Sequence, residues 1–307
     1  MKIAVIGAGA MGSLFGAYLT QAGESVTVVD IWPEHIRTIQ KQGLILESAN
    51  GEQMFPLVAT TEIHQLESVD LVILFVKSAA TRAAALSAAT ILRQDGRILT
   101  LQNGLGNAET IADVIGRDRV LVGTTAQGAT MLGPGRVRHA GQGDTHIGKM
   151  QGGVDQFCQD VAAILSRAGL PTFVEADVRG LVWGKLVVNT GINALTALLR
   201  LRNGQLVELP ETKKLLEMAV AEAVQVAKAA GIQLPYSDPV EKVVSVAIAT
   251  KNNQSSMLQD ILRGSPTEIA VINGAIVREG ERLGVATPVN QTLTLLVRSL
   301  EKNLSTC

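Results

Sequence analysis

The chain has 307 residues, enough for two domains, and its composition of 47% hydrophobic but only 3% aromatic residues calls for aliphatic cores. Its 27 basic and 28 acidic residues leave a formal net charge of −1, without the basic excess of a nucleic-acid or anionic-membrane binder. Two cysteines, Cys158 and Cys307, make no disulfide framework and fit a reducing compartment. Lys2 and the apolar stretch after it could open a signal peptide, but Gly7, Gly9 and Gly12 break the apolar region a signal needs. No uninterrupted apolar run approaches the ~20 residues of a membrane span. The expectation is a cytoplasmic protein that binds neither membrane nor nucleic acid.

The first half alternates strands and helices. Lys2–Ile6 (KIAVI) is short, apolar and β-branched and reads as a buried strand. Residues 11–22 carry a helical pattern that stops at Gly23. A second strand, Ser25–Val29, closes on Asp30, and a helix over 33–42 runs from Pro33 to a stop at Gly43. Residues 71–76 (LVILFV) are wholly apolar, as in a central parallel strand covered on both faces. A helix over 79–93 and strands over 97–101 and 120–123 follow. Such alternation implies a doubly wound, mainly parallel sheet. The turn-rich segment 133–148 (GPGRVRHAGQGDTHIG) predicts an antiparallel hairpin appended to that sheet. A helix over 152–169 and a strand over 172–175 complete this half. Beyond 176 the strand signals vanish, and helices are expected over 178–201, 211–230, 239–262, 266–283 and 288–303. The expected organisation is a Rossmann domain over 1–176 and an all-α domain over 177–307.

The clearest motif is Gly7-Ala8-Gly9-Ala10-Met11-Gly12, a G-x-G-x-x-G between a strand and a helix. A second strand ending in an acid about 20 residues later supplies the confirming context for a dinucleotide site. Gly7 permits the tight turn, Gly9 lets backbone approach a pyrophosphate, and Gly12 lets helix and strand pack closely. The helix N-terminus offers N–H groups and positive dipole to phosphate. Asp30 occupies the position that hydrogen-bonds a ribose 2′-hydroxyl, which leans towards NADH. A turn or cap acid is the alternative there. His35 and Arg37 follow within reach of a phosphate. Lys77 and Asn103 lie at strand carboxyl ends, where open α/β sheets bind ligands; for Asn103-Gly104 an ordinary turn is the alternative.

In the second half, the helix around 181–201 carries Lys185, Asn189 and Asn193 at four-residue spacing among aliphatic residues. Such a stripe faces either water or a polar cleft. Asparagine is a poor helix former, which favours the cleft, and lysine beside two asparagines suits an oxyanion and a carbonyl. Two further polar clusters are 255–260 (SSMLQD) and Ser265-Pro266-Thr267-Glu268. The latter also makes a capping box with Ser265 as N-cap and Glu268 at N3, so composition leaves a purely structural Glu268 open. No metal-ligand set is read.

On these motifs the chain resembles the ketopantoate reductase family from end to end. The likeness rests on GAGAMG at 7–12, LVILFVK at 71–77, QNG at 102–104 and GTTAQGAT at 123–130. In the second half it rests on WGKLVVNTGINALTALL at 183–199, NGQL at 203–206, SSMLQD at 255–260 and TEIAVINGAI at 267–276. The resemblance implies NAD(P)H-dependent reduction of a small 2-oxo acid, 2-dehydropantoate, to D-pantoate for pantothenate synthesis. It implies Lys185 as the catalytic lysine and Glu268 as its acidic partner. It implies substrate contacts from Asn103, Asn189, Asn193, Asn203 and Ser256. Cofactor contacts would come from Gly7, Ala8, Gly9, Ala10, Met11, Gly12, Lys77, Asn103 and Ala129. Many members carry a basic residue after the second strand and use NADPH, whereas this chain has Asp30. An NAD-dependent D-2-hydroxyacid dehydrogenase acting on a branched or aromatic 2-oxo acid is the nearest alternative. A non-catalytic dinucleotide sensor is the remote one. A homodimer is left open.

Overall fold

The computed structural model describes residues 1–305; Cys307 lies outside them. The chain divides into two compact units. The first holds Met1–Gln102 and Asn107–Val178, and the second holds Asn103–Gly106 and Arg179 onward.

The first unit is built on an eight-stranded sheet. Along the chain, β1 (Lys2–Ile6), α1 (Ala10–Gln21), β2 (Ser25–Val29) and α2 (Pro33–Gln42) come first. Next come β3 (Leu44–Ser48), β4 (Gly51–Phe55), β5 (Val58–Thr60), β6 (Val69–Leu74), α3 (Thr81–Ile91) and β7 (Leu92–Thr100). The unit ends with α4 (Asn107–Ile115), β8 (Val120–Thr125), β9 (Gly128–Gly133), β10 (Arg136–Gly141), β11 (Thr145–Lys149), α5 (Gln156–Arg167) and β12 (Thr172–Val174). The main sheet has the order β12-β11-β8-β7-β6-β1-β2-β5, all parallel except where β11 runs antiparallel to β8. Side chains of β6 alternate between two cores. Leu71 and Ile73 pack with α1 and α5, while Val72 and Leu74 pack with Ala84, Ala85 and Ala88 of α3 and Ile111 of α4. This two-sided burial is why residues 71–76 are apolar without interruption.

One expectation for this unit is corrected. The hairpin exists, but as β9 and β10, which pair antiparallel in a separate four-stranded sheet of order β4-β3-β10-β9. Only β11 of the expected segment joins the main sheet. The partners of that hairpin, β3 and β4, meet around Asn50-Gly51. Their short mixed pattern carries no clear strand signal in the sequence, and neither does β5 at the edge of the main sheet.

The second unit is all helical: α6 (Arg179–Leu199), α7 (Gln205–Glu208), α8 (Pro210–Ala229), α9 (Pro239–Ala249), α10 (Ser256–Leu262), α11 (Asn273–Leu283) and α12 (Pro288–Ser305). Its core is aliphatic, with Leu186, Val187, Ile192 and Leu195 of α6 against Leu216, Val220 and Ala223 of α8 and Val243 and Ala247 of α9. By length and composition α6 could cross a membrane, yet 67% of its apolar window is buried inside the fold, as in a core helix. Two expected helices are shorter than the pattern suggested. The stretch 239–262 is two helices, because the polar run 250–255 breaks it and Ser255 starts a new helix by accepting the Leu258 N–H at 3.1 Å. Residues 266–272 form turns, and α11 begins only at Asn273.

Candidate active site

In the first unit the glycine-rich turn joins β1 to α1 through backbone geometry. Gly7 has φ +94°, and a Cβ there would meet the Val76 backbone nitrogen at 2.7 Å. A Cβ on Gly12 would lie 1.9 Å from the Gly7 carbonyl oxygen, so helix and strand approach as closely as only glycine allows. At Gly9, by contrast, a Cβ would meet nothing within 4 Å. The open space in front of Gly9, the residue that caps α1 without any side-chain hydrogen bond, is a cradle of the kind a pyrophosphate fills. The turn is braced from behind. Ser13 Oγ donates to the Ala8 carbonyl at 2.8 Å, and His35 Nε2 lies 3.2 Å from that Oγ. His35 Nδ1 accepts the Gly135 N–H at 2.9 Å, so the ring is neutral with its proton on Nε2. Burial lowers the His35 pKa, with Asp30 opposing. The expectation that His35 could reach a phosphate is therefore corrected, since the ring is fully buried. Arg37 is exposed on α2.

Asp30 follows β2 and is half-buried; its Oδ1 accepts the Trp32 N–H at 2.9 Å. The turn role is thus occupied by one oxygen, while the helix N-cap is Trp32. Lys77 is exposed three residues beyond the end of β6, at the entry to a short 3-10 turn. Gln102 closes β7 onto its neighbours. Its Nε2 donates to the Val76 carbonyl at 2.7 Å and to Thr81 Oγ1 at 2.9 Å. Ala129 lies in β9, opposite His139 of β10 and packed on the α1 side of the core.

The second unit gathers most of the other candidates. Lys185 and Asn189 are half-buried on α6 and Asn193 is buried. Burial pulls the Lys185 pKa down to about 8, while the nearby Glu268 carboxylate opposes the shift. Glu268 is buried and sits in the turn before α11. The capping box does not form, because no helix starts at Ser265. The Thr267 N–H is taken by Glu301 Oε1 at 2.6 Å, and Glu268 Oε2 instead accepts Asn103 Nδ2 at 3.2 Å. The loop Asn103–Gly106 is held there by Leu105 N–H donating to the Val271 carbonyl at 2.9 Å. Asn103, Lys185 and Glu268, distant in sequence, are thereby brought together.

Asn203 and Ser256 are placed differently. Asn203 is buried and uses Nδ2 to hold Thr250 Oγ1 at 2.9 Å, tying its turn to the segment between α9 and α10. Its Oδ1 is buried without a partner among the described residues. Ser256 is exposed at the first turn of α10. Its neighbour Ser255 is buried and shares a 2.7 Å hydrogen bond with Thr196 of α6, which anchors α10 to the helix carrying Lys185. Sequence patterns do not single out Thr196 or Asn273. The available signal was a polar residue inside an apolar run, as in TEIAVINGAI for Asn273. Among the described residues no group of three or more His, Cys, Asp or Glu side chains could hold a metal ion.

A Rossmann unit with a complete glycine-rich turn, and a helical unit setting a half-buried lysine near a buried carboxylate, define a dinucleotide-dependent oxidoreductase. Residues 3–152 match the family model "Ketopantoate reductase PanE/ApbA", and residues 177–301 match "Ketopantoate reductase PanE/ApbA C terminal". The chain belongs to the ketopantoate reductase family. It is 42% identical to the 2-dehydropantoate 2-reductase of Halobacterium salinarum, over 99% of this chain and 100% of the relative. It is 38% identical to that of Pyrococcus horikoshii, over 98% of each chain. Among solved structures, the PanE/ApbA family ketopantoate reductase from Ralstonia eutropha JMP134 superposes with TM-score 0.92 at 34% identity, covering 99% and 100% of the two chains. A D-mandelate dehydrogenase bound to NADH and anilino(oxo)acetate also superposes with TM-score 0.92, at 31% identity and the same coverage.

Proposed function

We propose that this chain reduces 2-dehydropantoate to D-pantoate, as the names of its full-length relatives suggest, with Lys185 as the proton donor. The observation that carries the reading is Lys185 itself. It lies on an apolar helix, is held near a pKa of about 8 by burial, and has Glu268 close enough to oppose that shift. An ammonium so placed donates a hydrogen bond to the keto oxygen and gives up its proton as charge develops there. Glu268, itself hydrogen-bonded by Asn103, keeps the lysine in its charged form or holds a substrate hydroxyl. Asn189, Asn193 and Ser256 fix the substrate's remaining polar groups, with Asn203 supporting the segment that precedes Ser256. Gly7, Ala8, Gly9, Ala10, Met11 and Gly12 hold the dinucleotide's pyrophosphate, with Lys77, Asn103 and Ala129 as further contacts. When bound, the reduced nicotinamide supplies the hydride. Asp30 keeps Oδ2 for a ribose hydroxyl, which favours NADH. The enzyme is read as cytoplasmic, and a homodimer remains compatible with it.

The second reading is a D-2-hydroxyacid dehydrogenase. Asp30 and the likeness to D-mandelate dehydrogenase crystallised with NADH favour it. Rates with 2-dehydropantoate, phenylglyoxylate and 2-oxoisocaproate, each with NADH and NADPH, separate the two. The first reading expects the highest kcat/KM on 2-dehydropantoate. Faster turnover of phenylglyoxylate or 2-oxoisocaproate overturns it in favour of the second.

A further inference from the structure

Thr190, Asn273 and Asn290 lie fully buried inside the aliphatic helical unit. Asn273, the first residue of α11, donates Nδ2 to the Thr190 backbone carbonyl of α6 at 3.1 Å and to Asn290 Oδ1 at 3.0 Å. Asn290 in turn donates to the Ala219 carbonyl at 3.0 Å and to Glu222 Oε2 at 2.7 Å, both on α8. Glu222 also accepts the Val289 and Asn290 N–H groups at the start of α12, at 2.8 and 2.9 Å. Asn273 is therefore a strut fixed at its far end to two helices. At its near end it grips α6 at Thr190, directly after Asn189 and little more than one turn past Lys185.

The strut also governs the turn that carries Glu268. The Glu268 carbonyl accepts the N–H groups of Val271 and Ile272, each at 3.1 Å, and Gly274 N–H donates to the Ile269 carbonyl at 2.9 Å. These bonds make residues 268–274 one continuous unit, so whatever holds Asn273 holds Glu268. Packing does not explain the choice of asparagine. Its Oδ1 is buried without a partner among the described residues, as is Thr190 Oγ1. An apolar residue of similar shape would avoid that cost, so the position keeps its amide for what Nδ2 holds.

We propose that Asn273 is a positioning residue for the Lys185–Glu268 pair: its strut to the Thr190 carbonyl sets the turn bearing Glu268 against the helix bearing Lys185. The proposal rests on the reading of those two residues given above. Asn273→Ala should lower kcat for 2-dehydropantoate by on the order of 10- to 100-fold, the loss that small misplacements cause. The alkaline limb of its pH profile should move to lower pH, because a displaced Glu268 supports the ammonium less. Its Kd for NADH, read by fluorescence, should change far less than kcat, since the glycine-rich turn lies in the other unit and only the Asn103 contact adjoins Glu268. Thr190→Val, which keeps the carbonyl and deletes only the unpartnered hydroxyl, should retain kcat.

A folded Asn273→Ala variant with a lowered Tm, but with the wild-type kcat and pH limb, overturns the proposal and leaves a core strut alone. Should Asn273→Ala not fold, Asn290→Ala decides by the same readouts. It withdraws the strut's far support and should lose kcat in the same direction, and an unmoved kcat and pH limb there overturns the proposal equally. Lys185→Ala is measured alongside. Full activity in that variant overturns the underlying reading of the site, whereas its loss without loss in Asn273→Ala overturns the positioning role only.

Discussion

The glycine-rich turn and the α6 site do their work with different parts of the chain. Around Gly7–Gly12 the functional groups are backbone, and side chains matter mainly by being absent. Around Lys185 the functional groups are side chains drawn from segments near 103, 185 and 268, and their relation exists only after folding. A pattern of glycines between a strand and a helix therefore states its own purpose. A lysine on an apolar helix does not, until the carboxylate beside it is known.

The contrast can be broken most drastically inside the turn. Gly12→Ala puts a Cβ where the Gly7 carbonyl oxygen already lies at 1.9 Å, so β1 and α1 must separate. Loss of both folding stability and dinucleotide binding is expected, seen as a fall in Tm and no saturable NADH fluorescence. Gly9→Ala meets nothing within 4 Å and should melt like wild type. Its Cβ instead fills the cradle, weakening NADH by about 1–3 kcal/mol as overpacking does, or roughly 5- to 150-fold in Kd. If Gly9→Ala binds NADH as tightly as wild type, the open space at Gly9 is not the pyrophosphate site.

Side-chain chemistry should fail with the fold intact. Lys185→Ala should lower kcat by on the order of 10²-fold or more, the range of a positioned acid, with little change in dinucleotide Kd. The wild-type profile carries the same signature. Reduction needs the ammonium, so kcat/KM should fall as pH rises through about 8, and oxidation of the hydroxy acid should rise there. A reduction profile flat across pH 7 to 9 removes Lys185 from the proton transfer.

How much was legible follows the same division. The order of strands and helices through residue 42, the buried β6 and the turn at Gly7–Gly12 were readable because each is a local pattern. β3 and β4 were missed because their sheet is small, with Glu47, Glu52 and Gln53 interrupting the apolar alternation. Glu268 was the sharpest ambiguity. Ser-Pro-Thr-Glu is a good capping box by local chemistry, and only tertiary competition, with Glu301 taking the Thr267 N–H and Asn103 reaching Glu268, decides against it. Asn203 read as one more site asparagine, but its Nδ2 is spent on Thr250.

Glu268→Gln sharpens this point at a smaller scale. With no helix end to cap, the charge can be removed without the ~1 kcal/mol stability loss of a broken cap. Tm should stay near wild type while kcat falls by roughly tenfold, the effect of weakening one charge-assisted contact by about 1.4 kcal/mol. The alkaline limb should also move below about 8, because Glu268 raises the Lys185 pKa. A lowered Tm with kcat/KM unchanged would return Glu268 to a structural role.

The smallest expected effect lies where the two kinds of site meet, at Asp30, a side chain placed by a local turn. Its Oδ1 is already held by the Trp32 N–H, so the carboxylate orientation is set before any ligand arrives. Oδ2 is then available to a ribose hydroxyl, while a 2′-phosphate would set negative charge against negative charge. At ~4 Å and an effective dielectric near 20 that repulsion is about 4 kcal/mol before water and rotation reduce it. A residue of about 1.4 kcal/mol still means tenfold. Buried, neutral His35 gives no compensating charge, which leaves exposed Arg37 and Lys77 as the basic groups that could offset it. We expect kcat/KM to favour NADH, against the tendency the family resemblance implies. Asp30→Asn is the informative change, because the amide oxygen still accepts the Trp32 N–H and only the charge is lost. The ratio of NADH to NADPH efficiency should fall by about tenfold or reverse, with Tm unchanged. A wild type that prefers NADPH, or a ratio unmoved in Asp30→Asn, would leave Asp30 as the turn residue its Oδ1 already makes it.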